Sequence, residues 1–322
     1  MHQTLASLLP LAASGVPLAA RQVRPLLDLL PDHLADIMAL ARIAASAAGT
    51  EPFLCGIINA KSGRCAENCA FCAQSAHHAT DSPVYPLVGR DALRAKAEEL
   101  AEAGARYMGI VISGTGPSAA DFDRLLDDAA HITAAVGIRL CASLGLLTED
   151  QAVQLKQAGF TSYHHNLETA RSHYPAVCGT HGFEAREETV RLARKAGLRV
   201  CSGGIFGLGE SWEQRLELSG DIAELDPASI PVNFLNPIPG TPLENQKPLP
   251  PHEALAVVAL LRLMHPARDI VICGGRNSTL GELDALLFSA GANGIMTGNY
   301  LTTSGSPYAR DLAMLKGLGI AL

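Results

Sequence analysis

The sequence lacks the features that mark several common classes of protein. Lys and Arg total 25 against 32 Asp and Glu, a formal net charge of −7, and no basic tail offsets it. Binding to nucleic acid by phosphate neutralisation is therefore not expected. No segment approaches the roughly 18 uninterrupted apolar residues that suggest a membrane-spanning helix. The Leu- and Ala-rich stretch from Leu5 to Ala20 is broken by prolines and follows no Lys or Arg, so it does not predict a signal peptide.

Cysteine is scarce for a protein stabilised by disulfides. Eight cysteines in 322 residues are too few for a disulfide scaffold, yet several lie close together in the sequence. This clustering is typical of metal or redox chemistry in a reducing compartment, so we expect a cytoplasmic protein. A hydrophobic fraction of 48% with 18% charged residues is typical of a globular chain and excludes disorder as the main state.

Apolar β-branched runs alternate with helical patterns after two N-terminal amphipathic helices, and this order predicts an α/β protein, a (β/α)8 TIM-type barrel with an N-terminal helical extension. The predicted units are the extension over residues 1–50, the barrel over 51–303 and a C-terminal tail over 304–322 that packs on the barrel. The eight predicted strands span residues 53–60, 107–113, 138–144, 161–166, 198–205, 230–235, 269–273 and 293–297. The predicted barrel helices span residues 90–104, 121–136, 149–159, 183–197, 212–225, 252–264 and 280–291.

The longest strand-to-helix connection, from Lys61 to Gly89, holds a Cys-x3-Cys-x2-Cys motif formed by Cys65, Cys69 and Cys72. Structural zinc normally requires four ligands. An iron–sulfur cubane held by three thiolates leaves one iron free to bind a small molecule. The alternative is a zinc site completed by His77 or His78.

The triplet and five further segments together resemble the biotin synthase family of radical S-adenosylmethionine (SAM) enzymes. The segments are 59–63, 72–76, 163–169, 201–210 and 239–243, and the resemblance runs from about Phe53 to Thr303. It implies a [4Fe-4S] cluster on Cys65, Cys69 and Cys72, which reductively cleaves SAM to a 5′-deoxyadenosyl radical. That radical abstracts hydrogen from dethiobiotin, and sulfur from an auxiliary iron–sulfur cluster is inserted to give biotin. A closed, dry pocket is needed for such a radical.

The resemblance also implies roles for individual residues. SAM-binding positions are Gln74, Ser75, Asn166, Glu168, Arg186, Gly204, Ile205, Gly207 and Glu210, and substrate-binding positions are Asn166, Asn233 and Arg276. Glu168 departs mildly from the family, which often has Asp there. Taken without the family, these residues are equally compatible with a solvated loop start, a tight glycine turn or a surface arginine. The glycine order G-G-x-x-G-x-G is not the G-x-G-x-x-G fingerprint of a dinucleotide site.

Four more cysteines, Cys55, Cys141, Cys201 and Cys273, fall on the first, third, fifth and seventh predicted strands. Alternate strands of such a barrel contribute one inward-facing layer of four side chains. The alternative is that they are small buried hydrophobes. Biotin synthases use cysteines on the second, third and fifth strands plus an arginine near the seventh for an auxiliary [2Fe-2S] cluster.

This chain departs from that auxiliary pattern because its second-strand position is Tyr107. The hypothesis is that the four odd-strand cysteines hold the auxiliary centre, as a [2Fe-2S] or a four-iron cluster. Arg276 would then neutralise cluster charge, bind substrate or form an ordinary ion pair. Cys178 is interpreted as a bystander.

The partners implied by the resemblance are SAM, dethiobiotin, a low-potential electron donor such as flavodoxin or ferredoxin, and a second copy in a homodimer. No nucleic-acid or membrane partner is expected. Two alternative functions remain. One is a related radical SAM enzyme, of the hydrogenase-maturase or carbon-skeleton type, and the other is a non-enzymatic iron–sulfur carrier.

Overall fold

The computed structural model describes residues 2–322, in which parallel strands form a closed barrel. Every strand segment except β6 begins within one residue of the start of a predicted strand. Short β-branched and apolar runs favour strands in a parallel sheet that helices cover. The segments are β1 (Phe53–Lys61), β2 (Tyr107–Ile112), β3 (Arg139–Ser143), β4 (Ser162–His164), β5 (Arg199–Cys201), β6 (Gly204–Phe206), β7 (Ser229–Phe234), β8 (Asp269–Ile272) and β9 (Gly294–Met296).

Pairing in the order β5-β4-β3-β2-β1-β9-β8-β7-β6, with an additional β5–β7 pairing, closes the sheet. Strands β5 and β6 are two halves of one barrel strand, since both pair with β7 and only Ser202 and Gly203 separate them. A Cβ atom at Gly203 would lie 2.0 Å from the carbonyl oxygen of Pro231. The predicted strand 198–205 is therefore interrupted where the backbone passes too close to its neighbour for a side chain. The result is the predicted (β/α)8 TIM-type architecture.

Helices surround the barrel and form the N-terminal segment. They are α1 (Gln3–Ala13), α2 (Ala20–Val23), α3 (Leu34–Ala47), α4 (Arg90–Glu102), α5 (Ala119–Ala135), α6 (Glu149–Gln157), α7 (Phe183–Lys195), α8 (Trp212–Leu225), α9 (Pro251–Met264), α10 (Arg276–Leu280), α11 (Leu286–Ser289) and α12 (Tyr308–Gly317). Short 3-10 helices span Arg24–Leu29, Tyr174–Ala176 and Gly281–Ala285. Capping boxes at Thr148 and Ser211 define the starts of α6 and α8.

Two helix predictions need correction. The predicted helix over 280–291 is instead α10, a 3-10 turn and α11, because Gly281 adopts φ +54° and interrupts the helical path. The N-terminal segment contains α1, α2, a 3-10 helix and α3 rather than two helices, and Pro25 lies at the start of the 3-10 helix. None of the helices in residues 2–322 is long and apolar enough to cross a membrane.

The barrel strands are more accessible on their inner face than on their outer face. In β1 the alternate residues Cys55, Ile57 and Asn59 are only half-buried, whereas Leu54 and Ala60 are fully buried. Strand β2 alternates in the same way. Because successive side chains of a strand point to opposite sides, the buried set lies under the helices and the accessible set faces the interior. The more accessible side chains of β1 and β2 therefore lie on the inner face of the barrel.

The two ends of the chain pack on the outside of the barrel. Helix α3 contacts α1 and α9, and the backbone N–H of Leu18 donates to the carbonyl of Leu263 at 3.0 Å. Near the other end, Asp311 of α12 is fully buried and accepts two hydrogen bonds from Arg276. Both terminal segments are thus connected to the barrel.

A buried histidine at the end of α9 predicts sensitivity to acid. Burial lowers the pKa of His265 to about 4, aided by the charges of Arg262 and Arg268, although a hydrogen bond with Ser219 opposes the shift. An unfolded histidine titrates near pH 6.5. Above about that pH the side chain is neutral in both the folded and the unfolded protein, whereas below it the unfolded protein binds a proton that the folded protein does not. The free energy of unfolding is expected to fall by roughly 3 kcal/mol as the pH drops from about 6.5 to 4.

A His265→Gln protein tests this expectation. Thermal unfolding midpoints measured across that pH range should depend less on pH in the variant than in the unsubstituted protein. His131→Gln is the matched control, because the His131 side chain is 56% exposed. Equal pH dependence in all three proteins would show that His265 does not contribute.

Candidate metal and cofactor site

The cysteine triplet lies on a folded loop at the carboxyl end of β1. Gly63 and Arg64 have φ of +88° and +49°, which turn the chain sharply after the strand. The N–H of Cys65 then donates to the carbonyl of Gln74 at 2.9 Å, and the N–H of Ala76 donates to that of Cys65 at 2.7 Å. These bonds close the loop on itself and bring the segment of Gln74 and Ser75 back beside Cys65.

The side chains of Gln74 and Ser75 hold this loop together. Gln74 donates to Ser62 Oγ at 2.7 Å and lies 3.4 Å from Asn59 Oδ1. Ser75 Oγ donates to the carbonyl of Glu67 at 2.6 Å. Both side chains are buried, at 6% and 5% exposure. In this structure they therefore shape the triplet loop, and their predicted contact with SAM remains a prediction.

His77 and His78 do not complete a zinc site in this arrangement. A ring nitrogen of His77 is 2.9 Å from the carbonyl oxygen of Ala66, and one of His78 is 3.0 Å from that of Cys69. Both histidines thus engage backbone oxygens. The geometry does not favour the zinc alternative.

Arg186 of α7 connects the triplet loop to the carboxyl end of β4. The buried guanidinium donates to the Asn166 carbonyl at 3.0 Å and to Glu168 Oε1 at 3.1 Å, and one nitrogen lies 3.9 Å from Cys69 Sγ. Its Nε also donates to the Tyr174 hydroxyl at 2.7 Å. The arginine is 7% exposed and is not a surface residue. It places a permanent positive charge beside a cluster thiol.

Asn166 and Glu168 lie together, as their spacing predicts. Asn166 Nδ2 donates to Glu168 Oε2 at 3.4 Å, and the carbonyl of Glu168 accepts from the N–H of Ile205 at 2.7 Å. A Cβ atom at Gly204 would lie 2.6 Å from that carbonyl oxygen, so glycine is required for the contact. This close approach joins the segment after β4 to β6.

The backbone beside these residues is held by hydrogen bonds that involve Gly207, Glu210 and Asn233. The Glu210 carboxylate accepts from the Gly207 N–H at 2.9 Å and forms an ion pair with Arg215 at 2.8 Å. Asn233 donates to the Gly204 carbonyl at 3.2 Å and accepts from the Gly274 N–H at 2.9 Å. Glu210 therefore ties the loop after β6 to α8, whereas Asn233 joins the backbones of Gly204 and Gly274.

Burial disfavours the ionised form of two triplet thiols, Cys69 and Cys72, in the absence of metal. It raises the pKa of Cys72 to about 11, and it raises the pKa of Cys69 further, even though the charge of Arg186 acts in the opposite direction. Thiolates are the form that binds iron. Formation of a cluster must therefore release protons from this site.

The donor set fits an iron–sulfur cluster better than a single zinc ion. Thiolates on one tetrahedral zinc lie about 3.8 Å apart, from Zn–S bonds of about 2.3 Å. In residues 2–322 the only three His, Cys, Asp or Glu ligand atoms that all lie within 4.8 Å of one another belong to Glu67, Cys178 and His181. As placed in this structure, the three triplet sulfurs do not form such a group, and a cubane binds each thiolate to a different iron.

The four odd-strand cysteines meet inside the barrel. Burial raises the pKa of all four thiols, to about 11 for Cys201, and interactions with one another raise those of Cys55, Cys141 and Cys273 further. Three of them, Cys55, Cys141 and Cys201, are only half-buried. The four thiols therefore lie near enough for their charges to interact, and Cys273 packs with Cys55 in one cluster.

Tyr107 lies beside this layer with its ring between two arginines. The guanidinium carbons of Arg139 and Arg199 are each 5.7 Å from the centre of its ring. The positive charge of Arg199 lowers the pKa of the Cys141 and Cys201 thiols, against the larger effect of burial. Tyr107 thus supports a cationic group near the cysteines.

Arg276 is fully buried at the start of α10. It donates to both oxygens of Asp311, at 2.9 and 2.8 Å, and to Asp284 at 3.2 Å, while its Nε has no partner among the residues described. The ion-pair alternative is therefore present in this structure. The charge of Arg276 nevertheless opposes the effect of burial on the pKa of Cys273.

Sequence reasoning missed one group of side chains at this site. Cys178, interpreted above as a bystander, lies 3.7 Å from Cys69 Sγ and 3.5 Å from His181 Nδ1. Glu67 accepts from His181 Nδ1 at 2.6 Å. The only signal in the sequence is the Cys-x2-His spacing of Cys178 and His181, since Glu67 is more than a hundred positions away.

Comparison with known proteins identifies the family. The chain matches the Radical SAM superfamily over residues 60–222 and the Biotin and Thiamin Synthesis associated domain over residues 231–321. It is 56% identical over 294 residues to the biotin synthase of Nitratidesulfovibrio vulgaris (strain DP4), covering 91% of this chain and 81% of that protein. The chain belongs to the biotin synthase family.

Other biotin synthases match over nearly the whole chain. Identity is 51% to the biotin synthase of Geobacter sulfurreducens, covering 90% of this chain and 89% of that protein. It is 45% to that of Pelotomaculum thermopropionicum, covering 96% and 97%. Membership supports an enzyme with biotin synthase function, and it implies a [4Fe-4S] cluster and SAM.

Solved structures agree on the fold. A methylornithine synthase superposes with a TM-score of 0.84 at 22% identity, covering 98% of this chain and 96% of that one. A maturase of the [FeFe]-hydrogenase gives a TM-score of 0.82 at 17% identity, covering 98% and 74%. At these identities the likeness establishes the barrel architecture of the biotin synthase family and nothing finer.

Proposed function

We propose that this chain converts dethiobiotin to biotin with the triplet as its [4Fe-4S] site and the four barrel cysteines as the site of its sulfur-donating auxiliary cluster. The observation that carries the proposal is that one barrel holds two separate sets of thiols, the triplet in the loop after β1 and four cysteines on or directly after β1, β3, β5 and β8. When bound, the cluster and SAM supply the 5′-deoxyadenosyl radical, and the auxiliary cluster supplies sulfur.

The residues around the triplet are suited to hold a charged cofactor. Arg186 is positioned by Tyr174, Glu168 and the Asn166 carbonyl, so its guanidinium is fixed before any ligand arrives. A fixed guanidinium binds a carboxylate well, and we assign it to the methionyl carboxylate of SAM. Glu168 and Asn166, beside it, are assigned to the adenosyl ribose and the substrate.

The loops at the carboxyl ends of the strands pack closely against one another in this region. Gly204 allows the Glu168 backbone to approach β6, and Asn233 joins the Gly204 and Gly274 backbones. Gly240 approaches the triplet loop so closely that a Cβ atom there would lie 2.0 Å from the Ala79 carbonyl oxygen. A pocket enclosed in this way protects a carbon radical from solvent.

The cysteine layer is suited to an anionic cluster. The positive charge of Arg199 lowers the pKa of Cys141 and Cys201, and that of Arg276 lowers the pKa of Cys273, in each case against the effect of burial. A set of four thiolates requires no ligand from Tyr107. Arg276 is assigned to charge compensation and substrate binding at this layer, and the auxiliary centre to a [2Fe-2S] or four-iron cluster. A flavodoxin or ferredoxin as reductant and a homodimeric assembly complete the proposal, on the resemblance alone.

An assay of both products tests the function. Anaerobic protein is reconstituted with iron and 34S-sulfide, freed of excess sulfide, and incubated with SAM, dithionite and dethiobiotin. We expect 5′-deoxyadenosine together with biotin that carries the 34S label. Formation of 5′-deoxyadenosine without biotin would favour a related radical SAM enzyme, and the absence of both would favour an iron–sulfur carrier.

A further inference from the structure

Glu67, Cys178 and His181 form a compact group beside the triplet. Their ligand atoms all lie within 4.8 Å of one another. Glu67 belongs to the triplet loop, whereas Cys178 and His181 lie in the connection between β4 and α7. Cys178 is 5% exposed, and the side chains of His181 and Glu67 are 12% and 15% exposed. A thiol, an imidazole and a carboxylate are thus shielded together.

The distances are close to those of a tetrahedral metal site. Bonds of about 2.3 Å to sulfur and 2.0–2.1 Å to nitrogen place the two donors about 3.5 Å apart. Cys178 Sγ and His181 Nδ1 are 3.5 Å apart. Nδ1 and Glu67 Oε2, now a hydrogen-bonded pair at 2.6 Å, would separate by less than about 1 Å around an ion.

Neighbouring groups hold these donors in orientation. The other ring nitrogen of His181 is 2.8 Å from the Tyr174 hydroxyl, which also accepts from Arg186. The hydroxyl can accept the Nε2–H of the tautomer that binds a metal through Nδ1, once Nδ1 has given up the proton that it now donates to Glu67. Thr115 donates to Glu67 Oε1 at 2.6 Å, and Asn68 Oδ1 accepts from the Gly179 N–H at 2.9 Å. Both loops are therefore held in place around the group.

Cys69 supplies a fourth donor by a movement of its side chain, because its Sγ lies outside the group of ligand atoms that are all within 4.8 Å of one another. Its Sγ lies 3.7 Å from Cys178 Sγ, and two thiolates on one tetrahedral ion lie about 3.8 Å apart. We propose that Glu67, Cys178 and His181 form a second, mononuclear site for a divalent transition-metal ion, completed by Cys69 when the triplet holds no cluster. Mixed sulfur, nitrogen and oxygen donors suit Zn²⁺, Fe²⁺ and Co²⁺. The ion and the cluster therefore compete for Cys69.

Cobalt titration of cluster-free protein tests this site separately from biotin formation. The background is a Cys65→Ala/Cys72→Ala protein, which cannot assemble the triplet cluster but retains all four proposed ligands. Anaerobic, iron-free protein is titrated with Co²⁺ and followed by its visible absorption, and the bound ion is examined by X-ray absorption. Cys178→Ala and His181→Ala are made in the same background, with Thr180→Val and Cys273→Ala as controls.

We expect one Co²⁺ per chain with a mixed sulfur and nitrogen or oxygen shell. Affinity should fall by roughly 100-fold or more in Cys178→Ala and His181→Ala, beyond the range of about 10–100-fold seen when only an outer partner is lost. Thr180→Val removes an outer partner of Glu67, so its loss of affinity should stay within that range, and Cys273→Ala should bind this Co²⁺ as the background does. Identical titrations of the background and both ligand variants would overturn the proposal.

Two further measurements distinguish loss of a ligand from misfolding and from metal binding at other sites. Far-UV circular dichroism and thermal unfolding check each variant, and Cys178→Ser repeats the ligand loss with a smaller change in shape. In the protein with an intact triplet, preloaded Zn²⁺ should slow cluster reconstitution, and Cys178→Ala should remove that inhibition. Inhibition by Zn²⁺ that is unchanged in Cys178→Ala would contradict a shared Cys69.

Discussion

A Cys65→Ala protein is expected to form no 5′-deoxyadenosine above background from SAM and dithionite. Its triplet would retain only Cys69 and Cys72, and a cubane site with two thiolates leaves two irons without a protein ligand. The loss should therefore be complete rather than partial. The measurement is chromatographic detection of 5′-deoxyadenosine after anaerobic reconstitution, together with the electron paramagnetic resonance spectrum of the reduced protein.

The matched control for this experiment is His77→Ala. Its ring nitrogen contacts only the carbonyl of Ala66, so the cluster and its activity should persist in the variant. The zinc alternative makes the reverse prediction, because a site completed by His77 would lose its metal. Continued 5′-deoxyadenosine formation by Cys65→Ala at the rate of the unsubstituted protein would show that the triplet is not the site of SAM cleavage.

The barrel follows from the sequence because its pattern is local. Each strand from Phe53 onward is a short apolar run, and most of the intervening helices end near a glycine. The number and order of the strands and helices can therefore be predicted from the sequence. The interruption of the fifth barrel strand is not local, since it depends on the approach of the Pro231 carbonyl to Gly203. The break at Gly281 depends on one backbone angle, which an apolar helical pattern does not reveal.

The candidate site also contains parts that a local sequence pattern predicts and parts that depend on contacts between distant residues. The triplet is a contiguous motif, and its chemistry follows from the count of thiols. The position of Arg186 came from resemblance, and only the structure shows that it joins Glu168 to Cys69. The contact between Cys178 and Cys69 joins residues 109 positions apart. No pattern along the chain encodes a distance of that kind.

Loss of one barrel cysteine is expected to abolish biotin formation while SAM cleavage continues. In Cys141→Ala and in Cys273→Ala the layer keeps three thiols, so the auxiliary iron and its sulfide should be lost. The triplet and its neighbours, Arg186 and Glu168, are untouched by either change. The expected result is therefore formation of 5′-deoxyadenosine without biotin. The Cys65→Ala protein differs because it is expected to form neither product.

Mössbauer spectroscopy and labile-sulfide analysis of the reconstituted proteins measure the auxiliary iron directly. Met296→Leu is the control, because Met296 packs beside Cys55 and Cys273 and carries no thiol, so its iron content should equal that of the unsubstituted protein. Buried cysteines acting only as small hydrophobes predict the opposite, with a modest loss of stability and full auxiliary iron in both alanine variants. Unchanged auxiliary iron in both would rule out the four-cysteine centre, and loss in both would assign Cys273 a role that the usual family pattern gives to an arginine.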